Sequence, residues 1–402
     1  MALLKLKIGS PVSGANFFPR PDVIFRLRRA LERDHVSFLA PRRTGKTSIL
    51  IHLEESSAEG HPHFRVNLEV CTSPEQMVNE LLKTVRDESS RWGKKSRGLW
   101  DKVVESLKCI DSISFVGAKL SFKGAEKDWQ KPADALLEKL MEHDEPVTFL
   151  LDEFPILVDA AANEDRAGCE AMLRWFRDWR QRSADSQLRF LVTGSIGLAN
   201  VVRKHGFSDS VNDFDSVELS PLSEGEVIKF VRALGEGIGL KLSEGNARKM
   251  LDLMGNSYPY FLQIFVAEVD DFCSSAGRVE EVEVTGEIID SVYLNRIVTG
   301  PRNKYLPHMW DRLEKSFSQP EAKLARVLLK AVARADDGLT VEQLSLVARE
   351  SMPEGVGADE VMFNNVLETL QHDAYLIQSS EAPCRIHFFS NLLHDYWKRR
   401  YA

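Results

Sequence analysis

The run Ala40-Pro41-Arg42-Arg43-Thr44-Gly45-Lys46-Thr47 is the part of the chain whose residue types and spacing most clearly specify chemistry. It follows the phosphate-binding consensus GxxxxGK[ST], with alanine at the opening position. Backbone N–H groups of such a loop, together with the N-terminus of the helix that follows, form an anion cradle. Gly45 lets the backbone come close to phosphate oxygens. Lys46 offers a point charge to β- and γ-phosphates, and Thr47 offers a hydroxyl to Mg²⁺. Ser48 follows within the same cradle. Ala40 is a small concession provided its φ stays negative. Arg42 and Arg43, inside the loop, are placed to touch a phosphate or a neighbouring acid, with a structural role equally open.

Two further clusters fit the same chemistry. Phe149-Leu150-Leu151-Asp152-Glu153 is an apolar run ending in two acids. Asp152 is expected to hold magnesium, directly or through water, and Glu153 to orient and deprotonate an attacking water. Thr193-Gly194-Ser195 closes another apolar run with hydroxyls, which would also serve as simple strand-end caps. His61-Pro62-His63 reads as a solvated turn rather than a metal pair. The run Arg174-Trp175-Phe176-Arg177-Asp178-Trp179-Arg180 reads as a helix with its aromatics on a sheet and its arginines in water, in preference to a nucleic-acid stacking platform.

These residues need a scaffold, and the flanking sequence supplies one. Val36-Ser37-Phe38-Leu39 is a short strand before the loop, and a helix begins at its end. Phe64 to Val70 alternates like a strand, and Ser73-Pro74-Glu75-Gln76 reads as a helix start with a capping box. Residues 88–133 are less regular, with a β-hairpin over Ile113 to Phe122 turning near Gly117. Strands at Val147–Leu151 and Leu188–Thr193, a helix from about Glu170 to Arg182, and a short strand near Ser216 to Leu219 complete an alternation that predicts a parallel α/β sheet. After Pro221 the pattern is helical to about residue 300. The last hundred residues read as three helices and then strands near Ala374–Gln378 and Arg385–Phe389, the order of a winged helix.

Taken together, the loop Ala40–Ser48, the Leu-Leu-Asp152-Glu153-Phe154 segment, Gly194-Ser195-Ile196-Gly197-Leu198 and Gly255-Asn256-Ser257-Tyr258-Pro259-Tyr260-Phe261-Leu262-Gln263 resemble STAND-type P-loop ATPases of the archaeal-ATPase-like group, relatives of AAA+ and origin-recognition ATPases. The resemblance implies ATP as the nucleotide, with Mg²⁺. It implies a P-loop NTPase (ASCE/AAA+-like) parallel sheet with the strand of Thr193 lying between the P-loop strand and the strand of Asp152. It implies a helical lid and a C-terminal winged helix, with nucleotide held between the α/β domain and the lid. Ser195 becomes the preferred γ-phosphate sensor and Thr193 the second choice. Pro259 is expected near the nucleotide. Arg20, in Phe17-Phe18-Pro19-Arg20, stands where the group has a segment packed by adenine, with Pro19 replacing its glycine. Arg180, Arg182 and Arg203 are candidates for a finger arginine. The expected domains are 1–219 for nucleotide, with the hairpin inserted near 110–125, then 220–300 for the lid and 301–402 for the winged helix.

The composition limits the partners. The chain has 402 residues and net charge −8, with 43% hydrophobic and 28% charged residues, enough apolar material for large cores. An acidic chain is no general polyanion binder. The helix expected over Asp359 to Asp373 carries four acids and no Lys or Arg, which argues for protein contact over DNA. The basic run Lys398-Arg399-Arg400 is confined to the tail. Five dispersed cysteines form no CxxC pair, no secretory signal or membrane span is visible, and a cytoplasmic location is expected. The readings that follow are an ATPase switch acting on a protein partner or on itself in regulation or defence, a DNA-handling ATPase of the origin-recognition or transposition-helper kind, and a nucleotide-binding scaffold without turnover.

Overall fold

Asp152 and Thr193 lie at the ends of strands of one parallel sheet, with Glu153 and Ser195 just beyond them. The computed structural model describes residues 3–57, 61–89, 94–108, 113–116, 119–122, 128–142, 146–195, 197–255, 257–275, 281–300, 306–351, 360–379 and 382–402. Packing divides the chain into two units. One comprises Pro19–Ala40 and Lys46–Leu219, and the other comprises the segment ending at Phe18, Pro41–Gly45 and Ser220–Ala402.

In the first unit the strands are β1 (Val36–Leu39), β2 (His63–Asn67), β3 (Ile113–Val116), β4 (Lys119–Phe122), β5 (Val147–Asp152), β6 (Leu188–Gly194) and β7 (Asp215–Ser216). Five of them form the sheet in the order β2-β5-β6-β1-β7, all parallel. The strand of Thr193 therefore lies between the loop strand and the Asp152 strand, as anticipated. β5 is buried at all six positions, the reason its sequence is mostly apolar, with no alternation of apolar and polar residues. The short last strand continues beyond its two residues, since the Val217 amide donates to the Ser37 carbonyl at 2.9 Å. β3 and β4 pair antiparallel with Ile113 opposite Phe122, the anticipated hairpin; its Gly117 lies outside the described residues.

The helices of this unit are α1 (Pro21–Leu31), α2 (Lys46–Glu55), α3 (Pro74–Ser89), α4 (Lys94–Lys108), α5 (Gln130–Met141), α6 (Phe154–Glu164), α7 (Arg166–Arg182) and α8 (Leu198–Lys204). The α3 start differs in detail from the expected capping box. Ser73 Oγ accepts from the Gln76 amide, but the Gln76 side chain takes the amide of Thr72, not that of Ser73. α4 falls in the stretch read as less regular, and it buries Val103 and Leu107 one turn apart. On α7 the aromatics Trp175, Phe176 and Trp179 are buried, and both indole N–H groups donate to Asp134 Oδ1 at 2.7 Å. Aromatics inward is thus the arrangement found.

The second unit begins with α9 (Glu224–Gly237), α10 (Glu244–Met254), α11 (Pro259–Ser275) and α12 (Gly286–Val292), the last running into a π-helical turn at Tyr293–Val298. Two strands of two residues, β8 (Leu240–Lys241) and β9 (Val282–Glu283), pair parallel here, so this region is not purely helical as expected. They are too short to leave a periodic pattern in sequence. The chain then forms α13 (Pro307–Ser316), α14 (Gln319–Arg334), α15 (Val341–Ser351), α16 (Glu360–His372), β10 (Leu376–Gln378), β11 (Ile386–Phe388) and α17 (Asn391–Arg400). β10 and β11 are antiparallel, and Leu339 bridges to Ile386. α14, α15 and α16 followed by the two-stranded wing give the winged-helix order, with one helix more than expected before them, α13, and another, α17, after the wing. Its buried residues join those of α9 to α12 in one apolar cluster. No helix among the described residues is long and apolar enough to cross a membrane.

Candidate phosphate and magnesium site

β1, β5 and β6 are consecutive in the sheet, and parallel pairing puts their carboxyl ends side by side, the usual place for ligands in open α/β sheets. At the end of β1, Ala40 is buried and is not among the residues with positive φ. The methyl group in place of the consensus glycine thus carries no backbone strain. Gly45 has φ +105°, with nothing within 4 Å of an added Cβ. The conformation, not the space, demands glycine there. Thr44 Oγ1 donates to the Pro41 carbonyl at 2.8 Å, closing the loop on itself. Lys46 opens α2, is buried, and donates through Nζ to the Ala40 carbonyl. The lysine head and the first amides of a ten-residue helix thus converge where an anion would be cradled.

Arg43 lies in the left-handed region, with φ 67°. Its guanidinium sits 4.5 Å from the ring centre of Tyr260 and donates to the Tyr260 hydroxyl. Tyr260 is the second residue of α11, just after Pro259. It was within the sequence segment that carried the resemblance but had no role assigned. The pairing is between residues far apart in sequence, so no local signal marks it.

At the end of β5, Asp152 is 3% exposed. Its carboxylate accepts from the Thr47 hydroxyl, while Oδ1 is buried with no hydrogen-bond partner. Burial, and then the charge of Glu153, raise its pKa above the ordinary carboxylate value, against the pull of the Thr47 hydrogen bond, Lys46 and Arg65. A buried carboxylate with an orphaned oxygen is costly unless something positive meets it. Glu153 has φ 59°, a left-handed conformation uncommon for a residue with a side chain. Its Oε2 accepts from both the Ser195 amide and the Ser195 hydroxyl, each at 2.9 Å. Thr193 is fully buried and its hydroxyl has no hydrogen-bond partner. Gly194 passes so close to α6 that an added Cβ would stand 2.4 Å from Pro155 Cδ.

Lys46, Thr47, Asp152, Glu153 and Ser195 are therefore neighbours. Thr47 beside an incompletely satisfied Asp152 fits Mg²⁺, which keeps most of its shell as water and phosphate oxygens and takes one or two protein oxygens. Among the described residues no cluster of three or more His, Cys, Asp or Glu forms a metal cage. Of the remaining sequence candidates, Arg20 is buried at the N-cap of α1, and Ser48 follows Thr47 in the first turn of α2. Arg180 is 1% exposed and holds Asp213 through Nε and Nη2 at 3.0 and 2.7 Å, with Nη2 also donating to the Ser210 carbonyl. Phe176 and Phe214 flank it at 4.6 and 4.3 Å. Its guanidinium is built into the unit and is not available as a finger. Arg182 lies over Trp179, and Arg203 donates to Asn200. His63 Nδ1 is hydrogen-bonded to the Leu53 carbonyl at 2.8 Å.

No family model and no curated protein sequence matches the chain. Solved structures do. The Walker-type ATPase PABY2304 of Pyrococcus abyssi aligns with a TM-score of 0.63 at 15% identity, over 96% of this chain and 97% of that one. The ORC2 protein of Aeropyrum pernix, solved as ADPNP and ADP complexes, aligns with a TM-score of 0.50 at 12% identity, over 98% of this chain and 94% of that one. At such identities the likeness is one of fold. The chain has the α/β fold of P-loop NTPases in its AAA+-like form, followed by a helical segment and a winged-helix arrangement.

Proposed function

We propose that this chain binds ATP with Mg²⁺, hydrolyses it, and works as a conformational switch whose output is a protein partner or a second copy of the chain. The observation that carries the reading is the buried Asp152 carboxylate, one oxygen held by Thr47 chemistry and one without a partner, beside a Glu153 clamped by Ser195. Bound Mg²⁺ would supply charge neutralisation between the β- and γ-phosphates. Thr47 and Asp152 are the residues that would hold it. Lys46 would exchange its bond to Ala40 for phosphate oxygens, and the loop amides with Ser48 would orient the anion. Glu153 would take a proton from the attacking water. Ser195, through its two donors, fixes where that carboxylate points and is suited to sensing the terminal phosphate. Arg42, Arg43, Arg20 and Pro259 complete the proposed nucleotide surroundings. The lid (220–300) and winged helix (301–402) are the parts proposed to respond to the γ-phosphate. Regulation and defence are both within the reach of such a switch, and a cytoplasmic location suits it.

The DNA-handling reading is the rival, and the structure narrows the case against it. Asp373, one of the four acids counted on the expected recognition helix, is 5% exposed and paired with Arg312 at 3.1 Å. Asp359 lies outside the described residues. Of the four, Glu360 and Glu368 are the exposed ones that are described. An ORC2 protein among the solved structures of like fold adds to the reason for testing it. The measurement is the ATPase rate of the full chain with and without duplex DNA, alongside capture of partners. An unchanged rate supports the switch, and marked stimulation by DNA supports the rival. A wild type without turnover under any partner condition leaves only the scaffold.

A further inference from the structure

Tyr260 belongs to no strand end, yet it grips the phosphate loop through Arg43. We propose that Tyr260 is a positioning residue for that loop, acting through Arg43 and setting the affinity for nucleotide. The proposal rests on the nucleotide-binding reading above and assigns a residue to it.

The loop is held open on one side by space rather than by packing. Pro41, Arg42, Arg43 and Thr44 line a pocket whose other walls include Tyr260, Phe261, Met309 and Phe389. Inside the loop, the Thr44 hydroxyl bond to Pro41 fixes the turn, but it does not fix the loop against its surroundings. Arg43 meanwhile holds a left-handed φ, a conformation that a residue with a side chain keeps only when its contacts over-determine it. Those contacts are the ring and the hydroxyl of Tyr260. Tyr260 makes a firm anchor. It is 7% exposed, lies in the first turn of the 17-residue α11, and is set edge-on against Phe261 at 5.4 Å.

The consequence for binding follows from geometry. An anion cradle works when its amides already converge, because ordering them on binding subtracts from affinity. Arg43 lies two residues before Gly45 and three before Lys46, so its backbone angle sets the direction of the amides that follow. A loop released from Tyr260 has to be ordered by the ligand itself.

The test uses the full chain with Mg²⁺ and a fluorescent ATP analogue, titrated into wild type, K46A, Y260F, Y260A, R43K, R43A and the double variant R43A/Y260A, with thermal unfolding followed in parallel. Y260A and R43A are each expected to weaken binding about tenfold, the size of a charge-assisted hydrogen bond plus a cation–π contact. The double variant is expected to bind no worse than the weaker single one, because both remove the same link. Y260F keeps the ring, loses the hydroxyl and should fall between wild type and Y260A, with an unchanged thermal midpoint. Affinity should shift more than the turnover of bound nucleotide. Wild-type binding with unchanged Y260F and Y260A overturns the proposal and leaves the nucleotide reading standing. So does full additivity of the two alanine effects, or a loss of affinity that simply tracks thermal stability. A wild type that does not bind, or a K46A variant that binds as well as wild type, overturns the nucleotide reading and this proposal with it.

Discussion

Single residues at or beyond two strand ends, those of β1 and β5, divide binding from turnover. Lys46→Ala removes the charge that spans the loop and should abolish nucleotide binding, measured by titration calorimetry. Glu153→Gln keeps the hydrogen-bond acceptor for Ser195 but not the base. Binding should persist while turnover falls by about 10²-fold or more, and an unchanged steady-state rate would remove Glu153 from its assigned role. Asp152→Asn should do two things at once. It should impair Mg²⁺-dependent turnover, and with EDTA and no nucleotide it should stabilise the fold by about 1–2 kcal/mol, because it removes a buried charge with an orphaned oxygen. The check is the urea midpoint; a lower midpoint would mean that the carboxylate is well satisfied without a metal. How far this site was legible follows from what each residue rests on. Lys46, Thr47 and Asp152 could be picked from sequence because their roles depend on position along one chain segment. The clamp of Ser195 on Glu153 and the grip of Tyr260 on Arg43 depend on which segments fold side by side, and no periodicity encodes that.

Among the elements, α7 shows how an apparent functional signal becomes a structural one. Its arginines are expected in water, with Arg180 and Arg182 also finger candidates, but Arg180 is buried and points between two aromatic rings onto Asp213. Truncation of a buried ion-pair partner leaves the other charge unmet. Arg180→Ala should therefore cost about 3 kcal/mol in chemical denaturation, with nucleotide affinity little changed. A neutral effect on stability would return Arg180 to the list of functional cations. The same logic separates the elements the sequence revealed from those it hid. β5 announced itself by a mostly apolar run without alternation, since both its faces are covered. β8 and β9, two residues each, are fixed by pairing with one another and left no trace. The hairpin of β3 and β4 was marked by alternation on either side of a glycine.

On the scale of the whole molecule, one buried imidazole ties α7 to the sheet and makes folding respond to pH. His35 Nδ1 accepts the Phe190 amide at 3.1 Å, and Nε2 bonds to the Arg180 carbonyl at 2.9 Å. The ring is therefore neutral with its proton on Nε2, and burial, the largest cause, brings its pKa down to about 4. In the unfolded chain it titrates near its ordinary value of 6.5. The unfolded state then binds the extra proton first, so the contribution to stability is complete above pH 6.5. It is lost as the pH falls toward 4, at about 1.4 kcal/mol per pH unit in that window. His35→Gln should flatten the pH dependence of the urea midpoint between pH 6.5 and 4 relative to wild type. Parallel curves for the two proteins would show that the ring is charged in the native state.

The close passage of Gly194 against Pro155 has a bearing on how this site tolerates change. Gly194 immediately precedes the serine of the clamp, and Pro155 follows the clamped glutamate by two residues. The bare Cα therefore works as a spacer gauge: it sets how near the tip of one strand comes to the root of the next helix. A single methyl group, Gly194→Ala, would meet the proline ring at 2.4 Å and force the two apart, prising Ser195 from Glu153 without altering any group that bears charge. The seating of Ser195 on Glu153 thus depends on a residue with no chemistry of its own, and a survey of mutations ranked by side-chain reactivity would pass over it.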